Sequence, residues 1–527
     1  MGAKICGLEG ATPNESIKKR KPLLDTVEVS PGLRGLGPFL LTLLTLVACT
    51  VGPDYETPAL EQEVPDAWKS AAAEEVEGEG SPLATWWSTL NDPKLVELVD
   101  EARRSNLSVQ IAAARVQAAR ARLGVATGRF YPDVIVDASY SRTRPSENSA
   151  PIVPPEGFDD FSLYNIGVGF DWEIDVFGRL RRGAESARAG LEASIEDYRD
   201  VMVILMADVA ANYVDVRTFQ ERIKYLQANV EAQSESLQLT QDRFDAGLSP
   251  LTDVTQAEYN LANSQAGVPT LEAGLVAAVN RLAVLLGKPP GAVDDLLATD
   301  PGIPDPNKTV ALGIPAELLR RRPDIRAAER QLASQTARIG VAKADLYPTF
   351  SLAGILALDS FTSSNLFESE STTWSLVPGV RWNIFSGGRI RSQVRVQEAL
   401  TQALLFSYEQ SVLFALDEVE STMVAYEREK VRRERLLEAV DASERTVDLI
   451  RTQYLSGLTD FLNLLDAQRT LATQQDAYAE SEGLVVQNLI ALNRALGGGW
   501  ELPEPDSTPK ENAEEITSTI DSAGSEP

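Results

Sequence analysis

From Tyr164 onward the chain alternates with little fault. Tyr164, Ile166, Val168, Phe170, Trp172, Ile174 and Val176 are apolar, and Asn165, Gly167, Gly169, Asp171, Glu173 and Asp175 stand between them. A period of two predicts a β-strand with one oily and one polar face. Three further stretches repeat that period. Val134, Val136, Ala138 and Tyr140 share a face in the first; Phe350, Leu352, Leu356 and Leu358 in the second; Trp374, Leu376, Val380, Trp382 and Ile384 in the third. Polar loops, 143–162 and DSFTSSNLFESESTT, join the strands in pairs.

Around these pairs the pattern is helical. Residues 93–128 are rich in Ala, Arg and Gln with no proline after Pro93, and predict one helix ended by Tyr131-Pro132. No proline interrupts 179–246, a run of 68 residues, which as one helix would reach ~100 Å. Residues 388–456 repeat this. Helices so long imply coiled-coil packing against neighbours. Each ends at a Gly-Leu pair, Gly247-Leu248 or Gly457-Leu458, where glycine suits the left-handed residue that stops a helix. Ser249 and Pro250 are expected as N-cap and first helical residue of the return helix, and Gly267 and Pro269 are expected to interrupt it.

The chain is a tandem duplication. ARLGVATGRFYP (121–132) returns as ARIGVAKADLYP (337–348), FDWEIDVFGRLRRG (170–183) as VRWNIFSGGRIRSQ (380–393), and RFDAGLSPLTDVTQAEYNLA (243–262) as QYLSGLTDFLNLLDAQRTLA (453–472). The layout is a leader over 1–48, an N-terminal segment over 49–92 and a first repeat over 93–291. A linker over 292–313, a second repeat over 314–500 and an acidic tail without apolar periodicity over 501–527 complete it.

Four strands of this length match the reach of a tilted membrane strand but cannot close a barrel alone. Open edges in hydrocarbon leave backbone groups unpaired, so in that setting copies must pool their strands. The aromatic-rich oily face and the Gly- and acid-bearing face fit lipid outside and water inside. A soluble sandwich with one solvated face is the alternative.

Composition narrows the chemistry. A formal charge of −28 excludes a nucleic-acid footprint. With no histidine and only Cys6 and Cys49, the chain lacks the usual general base and metal ligand and any disulfide network; neither an enzyme nor a metal or cofactor protein is expected. A basic cluster, Lys18 to Lys21, and Arg34 precede the apolar run 36–48, too short to span a bilayer and fitting a signal-peptide core better than a buried helix. LVAC, 46–49, resembles a bacterial lipobox, which implies cleavage before Cys49 and a lipid on its thiol, with Thr50 next implying export to the outer membrane.

Taken together, the duplicated units, the paired tips AGLSPLTDVTQAEYNLA and SGLTDFLNLLDAQRTLA, CTVGPDYETP (49–58) and IPAELLRRRPDIRAAERQLA (314–333) resemble the TolC-like outer membrane efflux proteins, lipoprotein branch of the OprM and NodT type. The resemblance implies a homotrimer in which four strands per chain make a 12-stranded outer-membrane β-barrel, continued by a periplasmic α-helical tunnel. It implies an exit duct for small molecules such as drugs, joined through a periplasmic adaptor to an inner-membrane pump of resistance–nodulation–division type. Rival readings are the exit duct of a type I secretion system and a coiled-coil surface lipoprotein serving as scaffold or adhesin.

The resemblance also maps function onto residues. It puts a periplasmic gate at Leu462, Asp466 and Arg469, spaced i, i+4, i+7 on one helical face, where an apolar ring resists ions and a charged ring sets a field. Without it, these read as a seam leucine and a surface pair Asp466–Arg469. Tyr454 and Asp253 match positions of links that hold relatives closed, although Thr459 stands where some carry a basic residue. Gly247, Leu248, Gly457 and Leu458 are candidate adaptor-docking tips, besides serving the turns. Asp171, Glu173 and Asp175 are expected to face the lumen, and the Arg320–Asp324 run to cap and pack a helix.

Overall fold

The computed structural model describes residues 50–58, 68, 83–146, 148, 159–299, 301–305 and 321–501. The leader, Cys6, Cys49, most of the inter-repeat linker and the tail beyond 501 lie outside the described residues.

β1 (Asp133–Thr143), β2 (Phe161–Ile174), β3 (Thr349–Ser360) and β4 (Thr372–Arg381) form one antiparallel meander in chain order. The register carries the alternation across the whole sheet. Val136, Val168, Leu356 and Trp374 align on one face, as do Val134, Phe170, Gly354 and Leu376. The other face aligns Asp133, Asp171, Ala353 and Val377, then Asp137, Gly167, Ala357 and Thr373. Gly354 is there because the Phe170 ring lies over it; a Cβ at that position would sit 2.3 Å from the ring. Trp382 and Ile384 fall past the end of β4, and Asp175 and Val176 past the end of β2.

The helices are α1 (Pro93–Ser105), α2 (Leu107–Gly128), α3 (Arg179–Asp245), α4 (Leu251–Leu285), α5 (Pro323–Ala344), α6 (Arg389–Leu455) and α7 (Phe461–Ala495). The single helix expected over 93–128 is two. Asn106 is extended, its Oδ1 accepts from the N–H groups of Ser108 and Val109, and its Nδ2 donates 2.8 Å to the Leu285 carbonyl. A capping side chain with a distant partner outcompetes continuation of the helix. The opposite correction applies to α4, which runs through Gly267 and Pro269 without a break. Packing along α3, with the Phe219 ring seated on Gly274, outweighs the ~3 kcal/mol a mid-helix proline costs. Pro250 rather than Ser249 takes the N-cap position, and the Ser249 hydroxyl turns back to the Thr240 carbonyl, 3.4 Å away.

α3 and α6 each have 67 residues and α4 and α7 each have 35, so the hairpins superimpose in sequence at a shift of 210. Each hairpin's long helix is also wrapped at its other end by its repeat's first helix. α2 and α4 pack on α3, α3 packs on α5 and α7, and both of these pack on α6. The row therefore has α2 and α4 on one margin and α6 on the other.

The largest core lies where Trp86, Trp87, Leu90, Leu95 and Leu98 cover Met206, Val209 and Tyr213 of α3 and Leu282 of α4. Within it Asp92 caps α1 and accepts the Tyr213 hydroxyl, while the fully buried Arg217 lies over the Tyr213 ring and donates 2.6 Å to the Thr299 carbonyl. Arg322 behaves as expected of its run. It stands at the N-cap of α5, pairs with Asp324 and Glu418, and donates 2.7 Å to the Ala495 carbonyl at the end of α7.

Candidate functional site

Both hairpin tips are built by the same turn. Gly247 (φ 70°) and Gly457 (φ 71°) are left-handed. The Leu248 N–H reaches back to the Arg243 carbonyl and the Leu458 N–H to the Gln453 carbonyl, at 2.8 and 2.9 Å. This double closure satisfies the last carbonyls of α3 and α6. It also leaves Leu248 and Leu458 standing 68% and 79% exposed, with open space around both glycines. Turn chemistry alone does not require an exposed leucine.

Leu462, Asp466 and Arg469 do share the exposed side of α7. No ion pair joins Asp466 to Arg469 among the described residues. Arg469 instead crosses to α4, where Nε donates 2.8 Å to Asn260 Oδ1 and the guanidinium lies 5.8 Å from the Tyr259 ring centre. Asp466 lines a polar groove of about 350 Å³ between α6 and α7, with Thr446, Gln453, Thr459, Asn463 and Thr470.

Tyr454 is not exposed. It is buried against Phe461, Leu464, Leu465 and Ala257, and it makes no hydrogen bond to Asp253 among the described residues. Its partner is one that sequence reasoning missed: Arg243 of α3 stacks over the Tyr454 ring at 4.8 Å, and its Nη1 donates to the Tyr454 and Leu455 carbonyls. The signal was present in the sequence, since a cation near a helix C-terminus is a common cap, but the helix it caps is α6 rather than its own. Asp253 lies beside this cap; partial burial and then the charge of Asp460 raise its carboxyl above the ordinary range, opposed by Arg243.

At the opposite end, the three carboxylates of β2 part company. Asp171 remains exposed on the polar face of the sheet. Glu173 pairs with Arg179. Asp175, beyond the strand, accepts the Leu180 and Arg181 N–H groups and pairs with the Arg181 side chain at 3.2 Å, capping α3. Asp133 and Asp137 of β1 share the polar face with Asp171, and Arg381 of β4 lies on it too.

The segment after Cys49 is tied to the same junction. Thr50 packs on Gly178, the Val51 N–H donates to the Phe177 carbonyl, and the buried Arg182 holds the Val51 and Gly52 carbonyls and, at 2.7 Å, Asp54.

Residues 98–288 and 314–498 match the profile of the outer membrane efflux proteins, covering most of the chain in two consecutive passes. The chain belongs to the outer membrane efflux protein family. Among its relatives, nodulation protein T of Rhizobium leguminosarum bv. trifolii is 31% identical over 463 residues, 88% of this chain and 97% of that protein. The toluene efflux pump outer membrane protein TtgI of Pseudomonas putida is 31% identical over 469 residues, 88% and 98% of the two chains. The solved structure of the outer-membrane channel OprN superimposes with a TM-score of 0.80 at 37% identity, covering 86% of this chain and all of that one. This efflux protein is thus an outer-membrane channel and not an enzyme, as the sequence reading anticipated. Its long helices and small antiparallel sheet are those of a TolC-like protomer.

Proposed function

We propose that three copies of this efflux protein close into one duct, sheet edge to sheet edge and helix margin to helix margin. One observation carries the reading: the protomer is open in the same sense in both layers. The first repeat supplies one set of free margins, β1 with α2 and α4, and the second supplies the other, β4 with α6. Both helical margins expose large apolar side chains: Ile111, Val125 and Val276 on one, Leu400, Phe414 and Val431 on the other. α4 is long and apolar enough to cross a membrane by length and composition, which fits a helix that a neighbouring copy covers. A head-to-tail interface whose rotation closes gives a ring, and twelve strands remove every edge from hydrocarbon.

The sheet has the anchors of a membrane barrel. Trp172 and Trp382, one per repeat, donate at 2.9 and 3.0 Å to the carbonyls of Phe130 and Leu346 at its helical end. Tyr140 meets Tyr164 at a tilt, and Phe161 meets Phe361 edge to face, at the other end. From Trp172 to Tyr164 the strand climbs roughly 27 Å before tilt, close to the ~25 Å apolar band of such barrels. Thr50 sits at the helical end of the sheet, which supports a lipid on Cys49 lying in the inner leaflet of the outer membrane.

Leu462, Asp466 and Arg469 then ring the periplasmic entrance, with Tyr454 and Asp253 behind them, and the exposed leucines with Gly247 and Gly457 dock a periplasmic adaptor. The adaptor links the duct to an inner-membrane pump, of resistance–nodulation–division type, and the cargo is small molecules, in keeping with the toluene efflux in the name of TtgI. Asp171 contributes to a cation-preferring lumen with Asp133 and Asp137, whereas the pairing of Glu173 and Asp175 weakens their share. Purified protein is expected to have the mass of three chains in detergent and to conduct through planar bilayers. A monomer that passes no current would refute the assembly.

A further inference from the structure

α5 is exposed along a single line. Packed by α3 and α6 on its flanks, it leaves only Gln331 and Arg338 exposed, and Asp345 continues the line just past its end. These residues are seven apart, two turns of helix. Gly340, on which Gly52 of the strap after Cys49 is seated, lies about 180–200° round the helix from Arg338 and Gln331. The exposed line therefore faces away from the strap.

In the three-copy duct the strap leads to the lipid and lies outside, which turns the line toward the lumen. α2 carries the same line at a shift of 216 residues: Arg115, Arg122 and Arg129, all exposed. The line has three levels. At the level farthest from the sheet, Gln331 is neutral and Arg115 is engaged with α3, where burial raises the Asp197 carboxyl and the charge of Arg115 draws it back. At the level nearest the sheet, Arg129 and Asp345 carry opposite charge. The middle level is basic in both repeats: Arg122 of ARLGVA and Arg338 of ARIGVA. Neither makes an ion pair among the described residues. Arg338 is rooted by its Nε, which donates 3.3 Å to Ser186 Oγ, itself 3.0 Å from Ser334 Oγ. α2 has no acidic residue at all, in a chain whose formal charge is −28. Toward the membrane the polar face of the sheet turns acidic, with Asp133, Asp137 and Asp171.

Resting on the three-copy reading above, we infer that Arg122 and Arg338, two from each copy, form a guanidinium belt on the lumen wall that binds the anionic groups of passing cargo: carboxylate, phosphate or sulfonate. A guanidinium presents such groups with a planar fork of donors, and rings of arginine or lysine line anion-conducting pores. Because the residue recurs in both repeats, the belt is twice as dense as one site per copy would make it. At physiological salt the field of each charge fades over about 8 Å. The belt therefore acts on solutes at the wall and barely touches ions in midstream.

Pyrenetetrasulfonate, a flat tetra-anion, tests the belt. Added on the sheet side of single channels of the full-length protein, it is expected to give brief current blocks whose Kd rises steeply with salt. Arg122→Gln with Arg338→Gln should raise that Kd at least about ten-fold, worth ~1.4 kcal/mol. Arg122→Lys with Arg338→Lys keeps the charge without the fork and should raise it only about two- to three-fold. Arg120→Gln is the control, since it removes the same charge from α2 one turn before Gly124, on the face that corresponds to the strapped face of α5. It should leave Kd within roughly two-fold. Conduction without block, or equal weakening by Arg120→Gln, overturns the belt and leaves the channel reading intact. A protein that is monomeric in detergent and passes no current defeats the three-copy reading, and the belt with it.

Discussion

Gly124 and Gly340 occupy the same place in the two copies of one motif, ARLGVA and ARIGVA, yet their surroundings are opposite. A Cβ on Gly340 would meet Arg182 at 2.7 Å and the Val51 carbonyl at 2.9 Å, whereas one on Gly124 meets nothing within 4 Å. Their helices, α2 and α5, both have 22 residues, but α5 buries 13 of them and α2 only three. The difference lies in position within the row of helices: α5 is flanked on both sides and α2 is at the margin. On the three-copy reading, Gly124 on the bare face of α2 is where a neighbouring copy would pack as Arg182 and Val51 pack on Gly340.

The comparison is sharpest at the tips, where the expected effects are largest. Phe461 is buried in the seam between hairpins, and its counterpart Leu251 is 56% exposed on the margin. Phe461→Ala should destabilise the protomer by about 3–5 kcal/mol, seen as a lowered thermal midpoint by circular dichroism. Leu251→Ala should leave the isolated protomer within ~0.5 kcal/mol and shift the oligomer toward smaller species in detergent. Equal losses from both, with no change in mass, would mean that the α4 margin is ordinary surface.

The glycines give the same contrast at smaller amplitude. Gly340→Ala forces Arg182 and the strap at Val51 to move, at about 1–3 kcal/mol, and loosened strapping should expose the segment after Cys49 to protease. Gly124→Ala should cost the protomer nothing and weaken assembly alone. If Gly124→Ala assembles as the parent does, no neighbouring copy approaches α2 there.

Much of this was legible in the residues. The alternation from Tyr164 fixed both faces of β2, and the same period gave the two faces of the other strands, but it left open which residues pair, because a slip of two residues keeps every face. The long helices were marked by absence of proline and by the Gly-Leu turns, to within a residue at Asp245 and Leu455. What misled were residues whose local preference is overruled by distant partners. Pro269 is tolerated because α4 lies along α3, and Asn106 breaks a helix because Leu285 receives its amide. Among site residues, Leu462, Asp466 and Arg469 share a face as their spacing requires, but Tyr454 faces inward, because Ala257 and the Arg243 cap reach it from the other hairpin while Phe461, Leu464 and Leu465 close over it from α7. No spacing within one helix could reveal that.

The smallest expected effect concerns another unequal pair, Asp200 and its counterpart Gln410, which is exposed on α6. Asp200 lines a cavity of about 140 Å³ with Arg322, Asp324, Glu418 and Arg494, where α3 meets the start of α5 and the end of α7. Burial first, then the charges of Asp324 and Asp197, push its carboxyl up to about 6, against the pull of Arg322 and Arg494. A raised carboxyl means that the folded state holds the proton more tightly than the unfolded one, so stability falls as pH rises from about 4 to about 6 and stays reduced above that. Asp200→Asn, which gives α3 an amide like that of Gln410, removes the burden. Discounted for partial exposure, it should stabilise the protein on the order of 1–2 kcal/mol at pH 7 and by almost nothing at pH 4. Thermal midpoints at the two pH values check this. A gain of equal size at both would assign the effect to packing in the cavity rather than to charge, and a loss at pH 7 would mean that ionised Asp200 is held by Arg322 and Arg494 more firmly than burial penalises it.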